Sequence, residues 1–188
     1  MKNELQMSIV YACIVSHGSQ LIPALCKNAK EGRLFAKSRQ GVKKLSLDLG
    51  LASPDTIVVA TPHNLRLWAH LCVVISENSS GPMKLPPPKA KKELSLRAAC
   101  DLDLAWGIIK SARRLRLPVV GANYGASEGA ASDLMMDWGT FVPLWYLLRS
   151  VAERNVRPKV VIATPSREIP IRLNFKFGQA ISYAHALL

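Results

Sequence analysis

The chain has 188 residues, 49% of them apolar and 20% charged, enough to bury a core and incompatible with wholesale disorder. Its 11 glycines and 12 prolines exclude collagen-like and low-complexity classes. With 25 Lys and Arg against 13 Asp and Glu, the formal charge of +12 raises the prior for an anionic partner but says nothing about fold.

No run approaches the ~20 apolar residues of a membrane span. The first apolar stretch, Ser8 to Val15, reads as a strand covered on both faces. A leader peptide fits less well, because the run enters His17-Gly18 without small-residue cleavage chemistry. Leu21-Ile22-Pro23 reads as a loop. Residues 33–50 fit an amphipathic helix, with Leu34, Val42, Leu45 and Leu49 on one side and Gly50 at its end.

Ser53-Pro54-Asp55 predicts a turn, and Thr56 to Thr61 a second buried strand that runs straight into Pro62-His63-Asn64. Leu71–Ser76 reads as a third strand. Residues 77–93, with three consecutive prolines and four lysines, read as an exposed connector. A helix is expected over about 94–116, a short strand over 117–121, and a Gly/Ala/Ser-rich loop over 122–133. Phe141–Val151 predicts a helix, Lys159–Thr164 a strand of the same type as 56–61, and 174–188 a terminal helix. This alternation argues a three-layer α/β fold in a single domain over 1–188, with a mostly parallel or mixed sheet and helices on both faces. The four cysteines show no paired spacing and read as reduced thiols of a cytoplasmic protein.

Two histidines stand out. His17 and His63 each follow the end of an expected buried strand, where open α/β sheets bind ligands. If the two strands are parallel neighbours, both imidazoles enter one crevice and could hold Fe, Zn or Mn. A single strand-end histidine is more commonly a packing or hydrogen-bonding residue, so the weight lies on the pair. His70 and His185 read as surface or packing residues. Asp137, just before an apolar helix, reads first as its cap and second as a ligand-holding residue.

Three segments fall in a telling order: Ser16-His17-Gly18 with Ile22-Pro23, then Pro54-Asp55-Thr56-Ile57-Val58-Val59-Ala60-Thr61-Pro62-His63, then Asp137-Trp138-Gly139-Thr140-Phe141-Val142-Pro143-Leu144. From about residue 8 to about residue 180 the chain resembles the class III extradiol ring-cleavage dioxygenases, of the protocatechuate 4,5-dioxygenase beta-chain type. The resemblance implies an Fe(II) site held by His17, His63 and a carboxylate, which binds a catechol-type aromatic substrate and then O2. It also implies Asp137 and Trp138 as substrate-binding positions, although related enzymes often carry histidine where Trp138 stands. Tryptophan has a donor and no acceptor, so it cannot take a proton. The family pattern continues beyond Leu188 with an acid/base histidine and a glutamate ligand. The chain therefore reads as C-terminally truncated, with the catalytic residue unknown; Glu128 and Glu168 match no family position.

Three other readings compete: a zinc hydrolase on the same histidines, a non-catalytic binding or structural subunit of the same fold, and a nucleic-acid binder. The last is disfavoured, because the basic runs Lys27–Lys44, Lys84–Lys92 and Arg113–Arg116 lack interleaved aromatics, and Trp106, Trp138 and Trp145 lie mostly in apolar contexts. A basic crevice could equally steer a carboxylated aromatic inward. A homo-oligomer or a partner subunit is compatible with the chain, and a membrane is not expected.

Overall fold

A computed structural model of the chain describes residues 9–84, 93–152 and 157–184. Its centre is a four-stranded sheet of β1 (Thr56–Ala60), β2 (Leu71–Val74), β5 (Val119–Ala122) and β7 (Lys159–Thr164), in the order β1-β7-β2-β5. β1 runs parallel to β7 and β2 parallel to β5, while β2 and β7 are antiparallel. The carboxyl ends of β1 and β7 therefore share one edge of the sheet, opposite those of β2 and β5. β7 is buried from Val160 to Thr164, as its central place demands of a Val/Ile-rich strand.

Helices cover both faces. On one lie α2 (Ala36–Ala52) and α4 (Trp138–Ala152), whose Val42, Leu49, Phe141 and Leu144 pack with Ile57, Val59 and Val160. On the other lie α3 (Leu102–Arg114) and α5 (Ile171–Tyr183), whose Ile108, Ile109 and Phe177 pack with Leu71, Val73 and Val161. Each such fully buried side chain contributes about 1.5–3 kcal/mol. The three-layer α/β architecture expected from the sequence is the one observed.

The remaining elements are two 3-10 turns (Ser19–Leu21 and Pro23–Leu25), α1 (Ala29–Leu34) and a second sheet of β3 (Asn78–Lys84), β4 (Glu93–Ala99) and β6 (Asp133–Met135), ordered β4-β3-β6. No helix among the described residues is long and apolar enough to cross a membrane. The four cysteines form no disulfide, and burial pushes the thiols of Cys72 and Cys100 up to about 11 and about 12.

Several sequence expectations need correction. Residues 9–15 form no strand and are largely exposed, with Ile14 96% accessible; Ser8 lies outside the described residues. Only Tyr11 and Val15 rest on the core. An apolar run reports burial tendency but cannot supply the hydrogen-bonded neighbour a strand requires.

Within the expected connector 77–93, Asn78–Lys84 form the strand β3, paired antiparallel with β4 from Asn78↔Ala99 to Lys84↔Glu93, and residues 85–92 lie outside the described residues. The expected helix 94–116 accordingly begins late. Leu94, Leu96 and Ala98 alternate as strand residues, and α3 starts only after Asp101, whose carboxylate accepts the Leu104 N–H at 3.1 Å. α2 passes through Gly50 and ends at Ser53, in the left-handed region at φ 47°. His185 lies outside the described residues.

Candidate functional site

β1 ends in Ala60-Thr61-Pro62-His63. The Thr61 N–H donates to the Ala163 carbonyl at 2.9 Å, carrying the β1–β7 pairing one residue past the strand. The buried Thr61 hydroxyl then accepts the His63 N–H at 3.3 Å, so His63 leaves the sheet on a fixed turn. Asn64 follows at φ 28°, and its side-chain oxygen takes the Leu65 N–H at 2.6 Å. That small polar side chain makes the positive φ tolerable.

His17 arrives from the other direction. It is half-buried, one residue before Gly18, which precedes the 3-10 turn Ser19–Leu21. Leu21, Ile22 and Leu25, all 2% exposed, anchor this segment in the core, and the Leu21 carbonyl accepts the Tyr146 hydroxyl of α4. The outcome is the convergence expected from sequence, reached without the strand expected to deliver it. The Nε2 atoms of His17 and His63 lie 3.0 Å apart, with ring centroids 4.9 Å apart and planes at 63°.

The N-terminus of α4 closes the site from a third side. Asp137 accepts the N–H groups of Gly139 at 2.9 Å and Thr140 at 3.1 Å, so its carboxylate caps the helix. Trp138, 56% exposed, packs edge-on against His63 at 5.5 Å between centroids. Gly139 touches the whole assembly: a Cβ there would meet Thr61 Oγ1, Asp137 Oδ2 and His63 Cδ2. Asn64 ties its loop to the same helix, its Nδ2 3.4 Å from Thr140 Oγ1.

β7, parallel to β1, ends in the same Ala-Thr-Pro as β1 and sends Ser166-Arg167-Glu168 to the same edge. A cleft of about 400 Å³ opens between the two loops and α4, lined by His63, Arg66, Asp137, Trp138 and Arg167 among others. Glu168 is ion-paired with Arg66 and accepts the Ser166 hydroxyl at 3.0 Å; these bonds, the Arg66 one foremost, hold its carboxyl below the usual range. It is not a spare carboxylate for a metal.

Arg66 and Arg167 escaped the sequence reading because single arginines look like solvated surface. The repeated Ala-Thr-Pro at the ends of two similar strands was the available signal. Glu128 is exposed in its loop, and the exposed His70 lies with Nδ1 2.8 Å from the Trp68 carbonyl.

A cation held by two cis imidazoles at about 2.1 Å each would set their nitrogens about 3.0 Å apart. The observed separation and the two nitrogen donors therefore fit the ion that the resemblance implies. Among the described residues, however, no group of three or more His, Cys, Asp or Glu could hold a metal, so the pair stands without its carboxylate there.

Residues 11–186 match the family described as the catalytic LigB subunit of aromatic ring-opening dioxygenase. Protein CA_C1420 of Clostridium acetobutylicum is 22% identical over 179 residues, which is 95% of this chain and 36% of that protein. The chain thus spans about a third of the length of the curated relative it matches.

Proposed function

The chain belongs to this family of aromatic ring-opening dioxygenase subunits, and from that premise we propose that it opens a catechol-type ring in the extradiol mode, with His17 and His63 as ligands to Fe(II). The observation carrying the proposal is the 3.0 Å approach of the two Nε2 atoms. Ferrous iron held by His17 and His63 would supply Lewis-acid binding of the catechol oxygens and electron transfer to O2. In the net reaction both oxygen atoms enter the product and the ring carbon–carbon bond beside the diol breaks.

The residues of the chain supply position and surroundings. Thr61 and Gly139 fix the direction of His63, and the core-anchored turn after Gly18 fixes that of His17. Trp138 gives the ring an aromatic wall beside His63. Asp137 keeps that wall in place by capping α4, so its substrate role runs through Trp138. We take the protein to act in the cytoplasm, where its thiols stay reduced.

A second reading rests on a specific observation. The 3.0 Å approach of the two Nε2 atoms also suits a hydrogen bond between the rings, which would make the pair a structural contact in a non-catalytic subunit of the same fold. Zinc on the same nitrogens would instead suit hydrolysis.

Anaerobic metal analysis and oxygen consumption decide among these. Expected are one ferrous ion per chain, O2 uptake on a catechol, and loss of both in His17→Ala and in His63→Ala. Zinc without oxygen uptake would move the assignment to a hydrolase. No metal uptake by a folded protein that still binds a partner would move it to the structural subunit.

A further inference from the structure

α3 and α5 pack side by side on the sheet face opposite α4, and each keeps one side in the core and one in solvent. On α3, Leu104, Ile108 and Ala112 are buried, while Trp106, Lys110, Arg113 and Arg114 are exposed at helical spacing. On α5, Phe177 and Ala180 are buried, while Ile171, Arg172, Phe175 and Lys176 are exposed. Ile171 and Phe175 stand one turn apart, 74% and 73% exposed, so they form a patch and not a scatter of single residues. None of the five cations is ion-paired among the described residues, and Asp103 is the only acid in either helix. The basic runs lack interleaved aromatics along the chain, but across this layer Trp106 and Phe175 stand among the cations. α2, in the opposite layer, also exposes Lys37, Lys43 and Lys44, yet its exposed Leu47 and Leu51 flank Asp48, and no aromatic lies within it.

We propose that the α3/α5 face docks on an anionic membrane surface, with Ile171, Phe175 and Trp106 entering the headgroup boundary and the five cations meeting acidic lipid headgroups. Each cation near such a surface gains roughly fivefold in affinity, and the apolar side chains add to this where a hydrocarbon boundary receives them. Ile171 decides between polyanions, because nucleic-acid bases stack on aromatic rings and an aliphatic side chain offers no such platform. A second copy on this face is disfavoured, since a two-fold axis would bring the same five unpaired cations against each other. Docking of this kind is peripheral, so it needs none of the long apolar runs whose absence from the sequence argues against a membrane. The cytoplasmic leaflet carries the acidic lipids it requires.

Sedimentation of the full chain with lipid vesicles tests this. Mixed phosphatidylserine–phosphatidylcholine vesicles should be bound at least about a hundredfold more tightly than pure phosphatidylcholine vesicles, and salt should erode the difference. The triple variant Lys110→Gln, Arg113→Gln, Lys176→Gln should lose about a hundredfold on the mixed vesicles. Its control on α2, Lys37→Gln, Lys43→Gln, Lys44→Gln, removes the same charge and should stay within about threefold of the native chain, because those side chains point away from the docked face. Phe175→Ser should weaken binding about tenfold, as expected for one apolar side chain left in water, and keep the preference for phosphatidylserine. All the altered side chains are exposed, so every variant should melt with the native protein, which separates lost docking from a lost fold. No binding, equal binding to the two vesicle types, equal losses in the two triple variants, or an unaffected Phe175→Ser variant would overturn the proposal. Tighter binding of an oligothymidylate than of the mixed vesicles would instead mark a nucleic-acid face. Dimerisation that Phe175→Ser abolishes, without vesicle binding, would mark a self-association face, and either result overturns the membrane assignment.

Discussion

A side chain at position 139 would have nowhere to go. Its Cβ would fall 2.4 Å from Thr61 Oγ1, 2.8 Å from Asp137 Oδ2 and 3.0 Å from His63 Cδ2. Each of these atoms is tied by a hydrogen bond or fixed by its turn, so none yields cheaply. The demand is steric and not conformational, as Gly125 and Gly129 are the glycines at positive φ among the described residues. Gly139→Ala is expected to cost about 1–3 kcal/mol, the usual range for overpacking. It should also weaken the proposed ferrous binding, because His63 is one of the groups displaced. Gly178→Ala on α5 is the control: a Cβ there meets nothing within 4 Å, so stability should rise by about 0.5–1 kcal/mol with metal affinity unchanged. Thermal melts with metal titration of both variants check the pair, and equal metal affinity in the two would remove Gly139 from the site. The two histidines were legible in the sequence because a polar ring at the end of an apolar run is conspicuous. Gly139 and Thr61 were not, because their importance comes from a contact between segments far apart in the chain.

Between elements, the same distinction decides what was legible. β2 and β7 are short apolar runs bounded by turns, and their burial follows from composition, whereas β1, expected as a buried strand, lies at the sheet edge with only Ile57 and Val59 buried. β3 and β4 are different. Pro82 suggests a break, yet it lies where β6, which pairs with β3 only from Asn78 to Ser80, no longer reaches, so its missing N–H disturbs at most one side of the ladder. The loop from His63 to His70 has no ladder either, and one of its tethers is the Arg66–Glu168 pair. The Glu168 carboxyl is held below its ordinary value chiefly by the Arg66 hydrogen bond. A depressed native pKa means the tether is fully present above the unfolded carboxylate value of about 4.3 and is lost as pH falls through the native value beneath it. The fluorescence of Trp68, an exposed residue of this loop, should therefore hold steady from neutral pH to about 4.3 and change only below that. In Glu168→Gln that acid step should vanish, with the loop already released at neutral pH. A step in the native protein above the carboxylate range would contradict the assignment.

On the scale of the whole molecule, the antiparallel β2–β7 contact splits the sheet into two parallel pairs pointing opposite ways, and the site occupies the edge where β1 and β7 end. The α/β alternation that announced three layers did not reveal this split, because strand direction depends on how the connections cross, which periodicity does not encode. The two helical layers consequently bear on the site unequally. α4 joins the layer that includes Phe141, fully buried and stacked on Trp145 at 5.7 Å, and its first turn carries Trp138 and Gly139 against His63. α5 joins the opposite layer through Phe177 and reaches only the arginine rim, by way of Asn174. Phe141→Leu and Phe177→Leu should each destabilise the fold by about 1–3 kcal/mol, since both remove buried ring volume. Their effects on the site should separate. Phe141→Leu lets the start of α4 shift and should lower affinity for the proposed ferrous ion, while Phe177→Leu should leave that binding alone and loosen the grip of Asn174 on Ser166. Matched denaturation curves with metal titrations read out the contrast. Equal loss of metal affinity in both variants would mean that the sheet transmits packing defects from either layer, and that α4 has no privileged hold on the imidazole pair.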